Sequence, residues 1–572
     1  MYNIQYILTM FYKGIIFDLD NTIYNYDTSH KKALHETFLY IIKNSNIEDK
    51  IEELTEMYET VSKKIKYELS NTASSHNKGI YFKQLLENLL MPLALLPALN
   101  EIYWDTFYNT MDCFVGIKEF ISWNKKIGVK IGILTDYETE YQVQKLIKLD
   151  LIQYCDIIVT SEEVGIEKPS SQMFQTILRK LNLSSDEVIM IGDNFDKDIV
   201  GASNMNILSY WFHEKNEKSQ KYIEFNSYIT LLDEFMEIYV ELVNLKRLSK
   251  FAGERFDLVQ AGGGNSSVKV GEWMCIKASG VNMANVDTKN GYVLLNNRRL
   301  LNDINKNCTM DVTKYNVFGN KRASIETFMH ATLKKYTLHL HPIQVNRLLI
   351  MKEAKTIVTE LFPEALIIDY LTPGIKICNE IVSKYNGENL LFLINHGIIV
   401  TSDSYDEISE IVNKVINQFE KKQNMNQNMN YDKYKYTNIL SNYINSQFDI
   451  DNVSYLSENS VIANYLLNNK NLFNEKITFP DALIYCGVKI LFINNLTDIN
   501  TYYEDYGELP KIIIVDNNVY INSISLSKCR DIEEVLLSNL IVLDSNSEKN
   551  YLSNDEICFL NNWDAEKYRK ML

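Results

Sequence analysis

Lys13-Gly14-Ile15-Ile16-Phe17-Asp18-Leu19-Asp20-Asn21-Thr22 decides the fold of the first half of this chain. The run Gly14 to Phe17 is apolar without polar alternation, which predicts a strand buried on both faces, as in parallel sheets. Asp18 and Asp20 stand at its C-terminal end, where open α/β sheets place their chemistry. Three more such runs follow: Val129 to Thr135, Asp156 to Thr160 and Val188 to Asp193. Helical apolar spacing separates them, so a doubly wound, Rossmann-like α/β domain is predicted. Between the first two strands, roughly residues 29–110 carry helical spacing and almost no strand signal. That block predicts a helical cap inserted into the sheet domain, about 24–112.

The strand ends supply a chemical set. One of the carboxylates Asp18 and Asp20 can attack a phosphoryl group while the other handles a proton. Thr135 offers a hydroxyl, and Lys168, in Glu167-Lys168-Pro169, a cation for the phosphate's charge. Asp193 and Asp198, in GDNFDKD, add carboxylates for a hard cation such as Mg²⁺. Any one of these elements is more often a turn or a cap; four in order at strand ends are not. With FDLDNT, ILT, EKP and GDNFDKD in sequence, residues about 13–215 resemble the haloacid dehalogenase superfamily, phosphatase branch with a helical cap. The resemblance implies Asp18 as nucleophile and Asp20 as general acid/base. It also implies Mg²⁺ held by Asp18, the Asp20 carbonyl and Asp193, with Asp198 in support.

The second half centres on His339-Leu340-His341 and Asn395-His396-Gly397, which hold three of the eight histidines. A His-x-His pair on a strand points both imidazoles to one face. A third imidazole from another strand end can complete a three-nitrogen site with an open metal position, as catalytic zinc uses. Gly262-Gly263-Gly264-Asn265-Ser266-Ser267 lets backbone amides approach an anion, and Ala278-Ser279-Gly280 offers a second small-residue pocket. Ala323-Ser324-Ile325-Glu326 reads as a helix start with Ser324 near the cap. His330, four residues after Glu326, reads as a packed histidine.

GGGNSS, KASG, ASIETFMH, LHLHP and INHG in this order resemble the class II aldolase/adducin family. The resemblance implies Zn²⁺, or another divalent metal, on His339, His341 and His396, with Glu326 as the catalytic glutamate. It implies a phosphate pocket from Asn265, Ser267, Ser279, Gly280 and Ser324, where Ile325 replaces a serine of some members. Tyr370 is a nearby candidate for the family's tyrosine acid. Adducins lack the histidines, and their retention here points to an enzyme. Phe479 to Cys486 and the terminal Asn562 to Arg569 look like the tail of longer members, with Trp563 and Tyr568 as packing residues.

The expected organisation is therefore a phosphatase domain at 1–230, a connecting helix at 231–248 and an α/β aldolase-like zinc domain at 249–422. A polar linker, 423–433, and a C-terminal subdomain of the aldolase module, 434–572, complete it. The net charge of −16 argues against a nucleic-acid binder. No Cys-x-x-Cys occurs among the eight cysteines, which predicts reduced thiols and a cytoplasmic protein. Met1 to Tyr12 lacks a basic start, so it is a poor signal peptide. The most apolar run, Leu89 to Leu99, contains Pro92 and Pro97 and falls short of the roughly 20 residues that span a bilayer. Together these readings predict a bifunctional enzyme of phosphorylated sugars or dihydroxyacetone phosphate, a carbon–carbon lyase joined to a phosphatase. An oligomer is expected from the aldolase resemblance. A dehydratase, epimerase or decarboxylase would use the same metal kit, and an adducin-like scaffold is the non-catalytic alternative.

Overall fold

The structure, a computed structural model, describes residues 12–45, 51–213, 223–288, 290–304, 311–318, 321–324, 326–372, 374–422, 432–544 and 549–562. Ile325, Trp563, Tyr568 and most of the polar 423–433 stretch lie outside them. The chain forms two compact units, Met1–Tyr239 and Val240–Leu572.

The first unit is built on six strands: β1 Gly14–Phe17, β2 Lys130–Thr135, β3 Ile157–Thr160, β4 Val188–Gly192, β5 Leu208–Phe212 and β6 Ile223–Phe225. Their order is β3-β2-β1-β4-β5-β6 and every pairing is parallel. β1 lies centrally, and Ile16 and Phe17 are fully buried. Each such side chain contributes about 1.5–3 kcal/mol relative to exposure. Helices Tyr26–Lys43, Ile51–Glu68, Lys78–Asn88 and Leu96–Asn109 form the segment between β1 and β2. Asn25 caps the first through the Thr28 amide, and Asn77 caps the third through the Ile80 amide at 2.9 Å. An aromatic core of Phe38, Tyr58, Phe82, Tyr103 and Phe107 ties them together.

The second unit holds an eight-stranded sheet. Its strands are β7 Asn265–Val270, β8 Trp273–Lys277, β9 Tyr292–Asn296, β10 Asn316–Phe318, β11 Tyr336–Leu340, β12 Leu366–Ile368, β13 Leu390–Leu393 and β14 Gly397–Ser402. The order is β10-β9-β8-β7-β11-β14-β13-β12, antiparallel except for the β12–β13 pair. A second, four-stranded sheet takes β15 Val453–Leu456, β16 Leu491–Phe492, β17 Ile512–Val515 and β18 Asn518–Ser523 in the order β15-β18-β17-β16. The helix expected at 231–248 runs longer, from Tyr228 to Gly253. No break intervenes because Leu242, Leu245, Leu248 and Ala252 continue its buried stripe. Among the described residues no helix is long and apolar enough to cross a membrane.

Two candidate active sites

In the first unit the chain leaves β1 into a tight turn with Asn21 in the left-handed region (φ 62°), a conformation asparagine tolerates. Beside it, the Thr22 hydroxyl accepts the Asp193 amide at 3.0 Å. It also lies within donating distance of Asp18 Oδ2 (3.3 Å) and Asp193 Oδ1 (3.2 Å). Lys168 Nζ donates to Asp18 Oδ1 at 2.5 Å and to Asp198 Oδ1 at 2.7 Å, with all three side chains nearly or wholly buried. A Cβ on Gly192 would fall 2.4 Å from the Asp198 carboxylate, so glycine is what admits Asp198 there.

Asp18, Asp193 and Asp198 present carboxylate oxygens within 4.8 Å of one another. Burial, and then the crowding of like charges, pushes Asp18 well up and Asp193 up to about 7. Burial alone would lower the pKa of Lys168, but Asp18 and Asp198 raise it, and it stays cationic. A buried carboxylate triad with one lysine suits a divalent cation, whose charge would relieve the repulsion. The Asp20 side chain turns away from this cluster. It accepts from Lys145 Nζ at 2.7 and 2.9 Å, from the Tyr24 hydroxyl, and from Gln142 Nε2 at 3.2 Å. Burial opposes ionisation of Asp20, yet Lys145 holds its pKa below the usual value. Thr135 is buried, its hydroxyl accepting Gln142 Nε2 at 2.5 Å. Gln142 and Lys145 are site residues that the sequence reading missed, because nothing in their helical spacing marks them as polar anchors.

In the second unit, β11 pairs with both β14 and β7, and the register sets Asn265 and Ile399 opposite His339. His341 follows β11, and His396 occupies the turn between β13 and β14. Nδ1 of His339 donates to the Ile398 carbonyl at 2.9 Å, leaving Nε2 as its lone-pair nitrogen. That Nε2 stands 3.0 Å from His341 Nε2 and 3.5 Å from Glu326 Oε1, while His396 Nε2 is 3.3 Å from the same oxygen. Three imidazoles and a carboxylate thus converge on one point, and the set fits a divalent metal. Burial opposes ionisation of Glu326, but His339 and His396 hold it far below the carboxylate range. Burial and the other two rings push His341 down to about 3.

The expected phosphate pocket divides. Gly262 approaches Gly280 closely, and the Ser279 amide donates to the Arg322 carbonyl at 2.8 Å, beside Ser324. Ser279 and Gly280 are exposed, and their turn, the glycine loop and Ser324 lie together. The Asn265 amide joins the two parts of the site: Nδ2 donates to Glu326 Oε2 at 2.5 Å and lies 3.4 Å from the Ser324 hydroxyl. Its register opposite His339 puts it on the same face as the metal candidates. Ser267 is withdrawn. Two residues along that face it is fully buried, with its hydroxyl 2.8 Å from His330 Nδ1. His330 is packed, and burial pushes its pKa down to about 3. The helix there begins at Thr327, not at Ser324, because Ser324 first closes a turn with the amides of Glu326 and Thr327. Lys277, missed in the sequence, is buried with Nζ donating to the Val281 carbonyl at 2.8 Å and lying 3.4 Å from the Gly262 carbonyl. Burial lowers it to about 8. Tyr370 is 58% exposed.

Both units resemble known proteins. Residues 15–212 match the haloacid dehalogenase-like hydrolase family, and residues 245–416 match the Class II Aldolase and Adducin N-terminal domain. Ribulose-1,5-bisphosphate 5-phosphatase of Halopiger xanaduensis is 33% identical over 207 residues, which is 36% of this chain and 86% of that protein. Glyceraldehyde 3-phosphate phosphatase of Methanocaldococcus jannaschii is 28% identical over 241 residues, 41% of this chain and 99% of that protein. A solved class II aldolase domain from Thermoplasma acidophilum is 22% identical, covering 32% of this chain and 92% of its own, with a TM-score of 0.30. The chain carries an N-terminal haloacid dehalogenase-like hydrolase domain, residues 15–212, followed by a class II aldolase/adducin domain, residues 245–416.

Proposed function

We propose that the chain is a bifunctional enzyme of phosphorylated sugars. One half is a Mg²⁺-dependent phosphatase acting through an aspartyl-phosphate. The other is a zinc-dependent class II aldolase that makes or cleaves a ketose phosphate with dihydroxyacetone phosphate. The observation that carries the aldolase half is the clustering of His339, His341 and His396, with Glu326 against the first and the third. The phosphatase half draws support from the sugar phosphates named in the relatives' activities.

In the phosphatase, Asp18 attacks phosphorus, and the bond to the leaving oxygen breaks. Asp20 is the general acid/base: against the pull of Lys145 it must first take up a proton to give that oxygen, and it then takes one from the water that cleaves the aspartyl-phosphate. Lys168 neutralises charge on the transferred group. Mg²⁺ on Asp18, Asp193 and Asp198 would supply further charge neutralisation there.

In the aldolase, Glu326 moves the proton on the carbon beside the carbonyl, and Asn265 fixes the carboxylate's orientation. Amides of the glycine loop and of the Ser279–Gly280 turn, with the Ser324 hydroxyl, would hold the phosphate. Zn²⁺ on the three histidines would supply Lewis acidity for the substrate's oxygens.

The test uses zinc-loaded protein carrying Asp18→Asn, which silences the phosphatase. Dihydroxyacetone phosphate is added in deuterated water without an aldehyde, and the hydroxymethyl proton is followed by NMR. Stereospecific exchange that vanishes in Glu326→Gln is the expected result. No exchange with one zinc per chain would turn the reading to dehydratase, epimerase or decarboxylase chemistry. No bound metal after reconstitution would favour the adducin-like scaffold.

A further inference from the structure

The cavity above Asp18 and Asp20 encloses ≈ 420 Å³ and is roofed by the helical segment through Tyr26, Tyr58, Lys66, Lys78 and Tyr81. Most of its cations have carboxylate partners. Lys145 pairs with Asp20, Lys168 with Asp18 and Asp198, and Lys197 with Asp136 and Glu167. Lys78 differs. It is 6% exposed, and among the described residues no carboxylate forms an ion pair with it. Its Nζ makes one long hydrogen bond, 3.3 Å, to the His76 carbonyl, and lies 5.1 Å from the Tyr81 ring centroid.

The Asn77 cap fixes Lys78 at the first turn of its helix, so its placement is built in. The Tyr26 ring lines the cavity, its centroid 5.8 Å from Lys78 Nζ and 5.4 Å from Lys145 Nζ. Lys145 in turn grips Asp20, so Lys78 and the acid proposed to serve the leaving oxygen line the same cavity. Lys66 lies on the same cavity wall, at the rim. Burial, followed by the charges of Lys66 and Lys145, pulls Lys78 down to about 7, and the more weakly felt Asp20 offsets them only in part. Such an amine sheds its proton readily when the cavity is empty and is drawn into its charged form when an anionic group enters.

We infer that Lys78 receives a second anionic group of the phosphatase substrate. The substrate class is then a small sugar bisphosphate, with a few carbons between the phosphate that is cleaved and the one that is held. This rests on the phosphatase reading above and adds the specificity of the same site. A lysine kept only for packing against Tyr81 would show no such discrimination.

The experiment measures kcat/KM of the full chain with Mg²⁺ for ribulose 1,5-bisphosphate and for ribulose 5-phosphate. The wild type is expected to favour the bisphosphate at least tenfold, mainly through KM. Lys78→Gln should cut that preference at least tenfold, Lys78→Arg should keep most of it, and exposed Lys83→Gln should not change it. Equal loss on both substrates in Lys78→Gln, or no preference in the wild type, would overturn the inference. If phosphate release is the same in the wild type and in Asp18→Asn, the phosphatase reading itself fails. Calorimetric titration of the bisphosphate into Asp18→Asn, with and without Lys78→Gln, then decides the inference alone. At least tenfold weaker binding without Lys78 supports it, and equal affinity refutes it.

Discussion

Replacing Lys168 with methionine removes a cation that contacts two carboxylates of the phosphatase triad. The structure gives it bonds of 2.5 Å to Asp18 and 2.7 Å to Asp198, with every partner buried. Methionine keeps most of the stem's volume, so packing changes little while the charge disappears. Removing one partner from a buried ion pair costs about 3–5 kcal/mol, because the other charge stays buried and unpaired. Here two carboxylates lose their partner, and Asp193 adds a third charge within 4.8 Å. The upper end of that range is therefore expected without a divalent cation. The chain holds two units, so a single global unfolding curve would mix them. Hydrogen exchange of the Gly14–Phe17 and Val188–Gly192 strands reads the first unit directly. For catalysis, loss of one preorganised charge should lower kcat by about 10²–10³ at saturating Mg²⁺. Exchange within 1 kcal/mol of wild type (about fivefold), with kcat changed less than threefold, would refute the reasoning. It would mean that Lys168 neutralises neither the resting carboxylates nor the transferred phosphate.

Four further outcomes are expected. Glu254 is buried and accepts from Ser441 and Asn438; burial raises its pKa to about 7 from 4.5. Its folded pKa lies above the unfolded one, so its share of stability is fullest below about pH 4.5 and fades as pH rises through 7. The shift corresponds to about 3 kcal/mol. Hydrogen exchange over Val453–Leu456 should therefore weaken from pH 5.5 to 8 after correction for intrinsic rates, and Glu254→Gln should flatten the change; an equal slope in the variant would contradict this. Gly397→Ala would place a Cβ 2.2 Å from the Leu340 carbonyl, forcing β14 from β11, so bound metal should fall as in His396→Ala when metal content is measured. His339→Ala should lose the metal outright, and one zinc per chain retained would rule out the three-histidine site. Asn265→Ala removes a hydrogen bond to a charged Glu326, worth about 1.5–3 kcal/mol, and should slow proton exchange on dihydroxyacetone phosphate roughly 10- to 100-fold while leaving metal content unchanged.

Strand-end carboxylates and the histidine pattern were legible because each depends on local order. Continuous apolar runs mark buried parallel strands, so Asp18, Thr135 and Asp193 could be placed at strand ends without knowing which strands pair. The period of two puts His339 and His341 on one face of any strand. The roles of Asn265 and Ser267 were not legible. Both sit in a glycine-rich stretch that suggests phosphate, yet the pairing of β7 with β11 turns one to Glu326 and the other to His330. Register between strands far apart in the chain is set by the sheet as a whole, not by the stretch itself.

By itself the sequence carried the resemblance to both domains and named the motif residues proposed to hold phosphate or metal, since short motifs carry their own geometry. Only the tertiary structure decided which charges are answered. Lys145 and Lys78 look alike as cap and helix lysines in the sequence, but folding gives one a carboxylate and leaves the other facing the cavity. Whether a buried charge has a counter-ion depends on every element packed around it, and that is a property of the assembled fold.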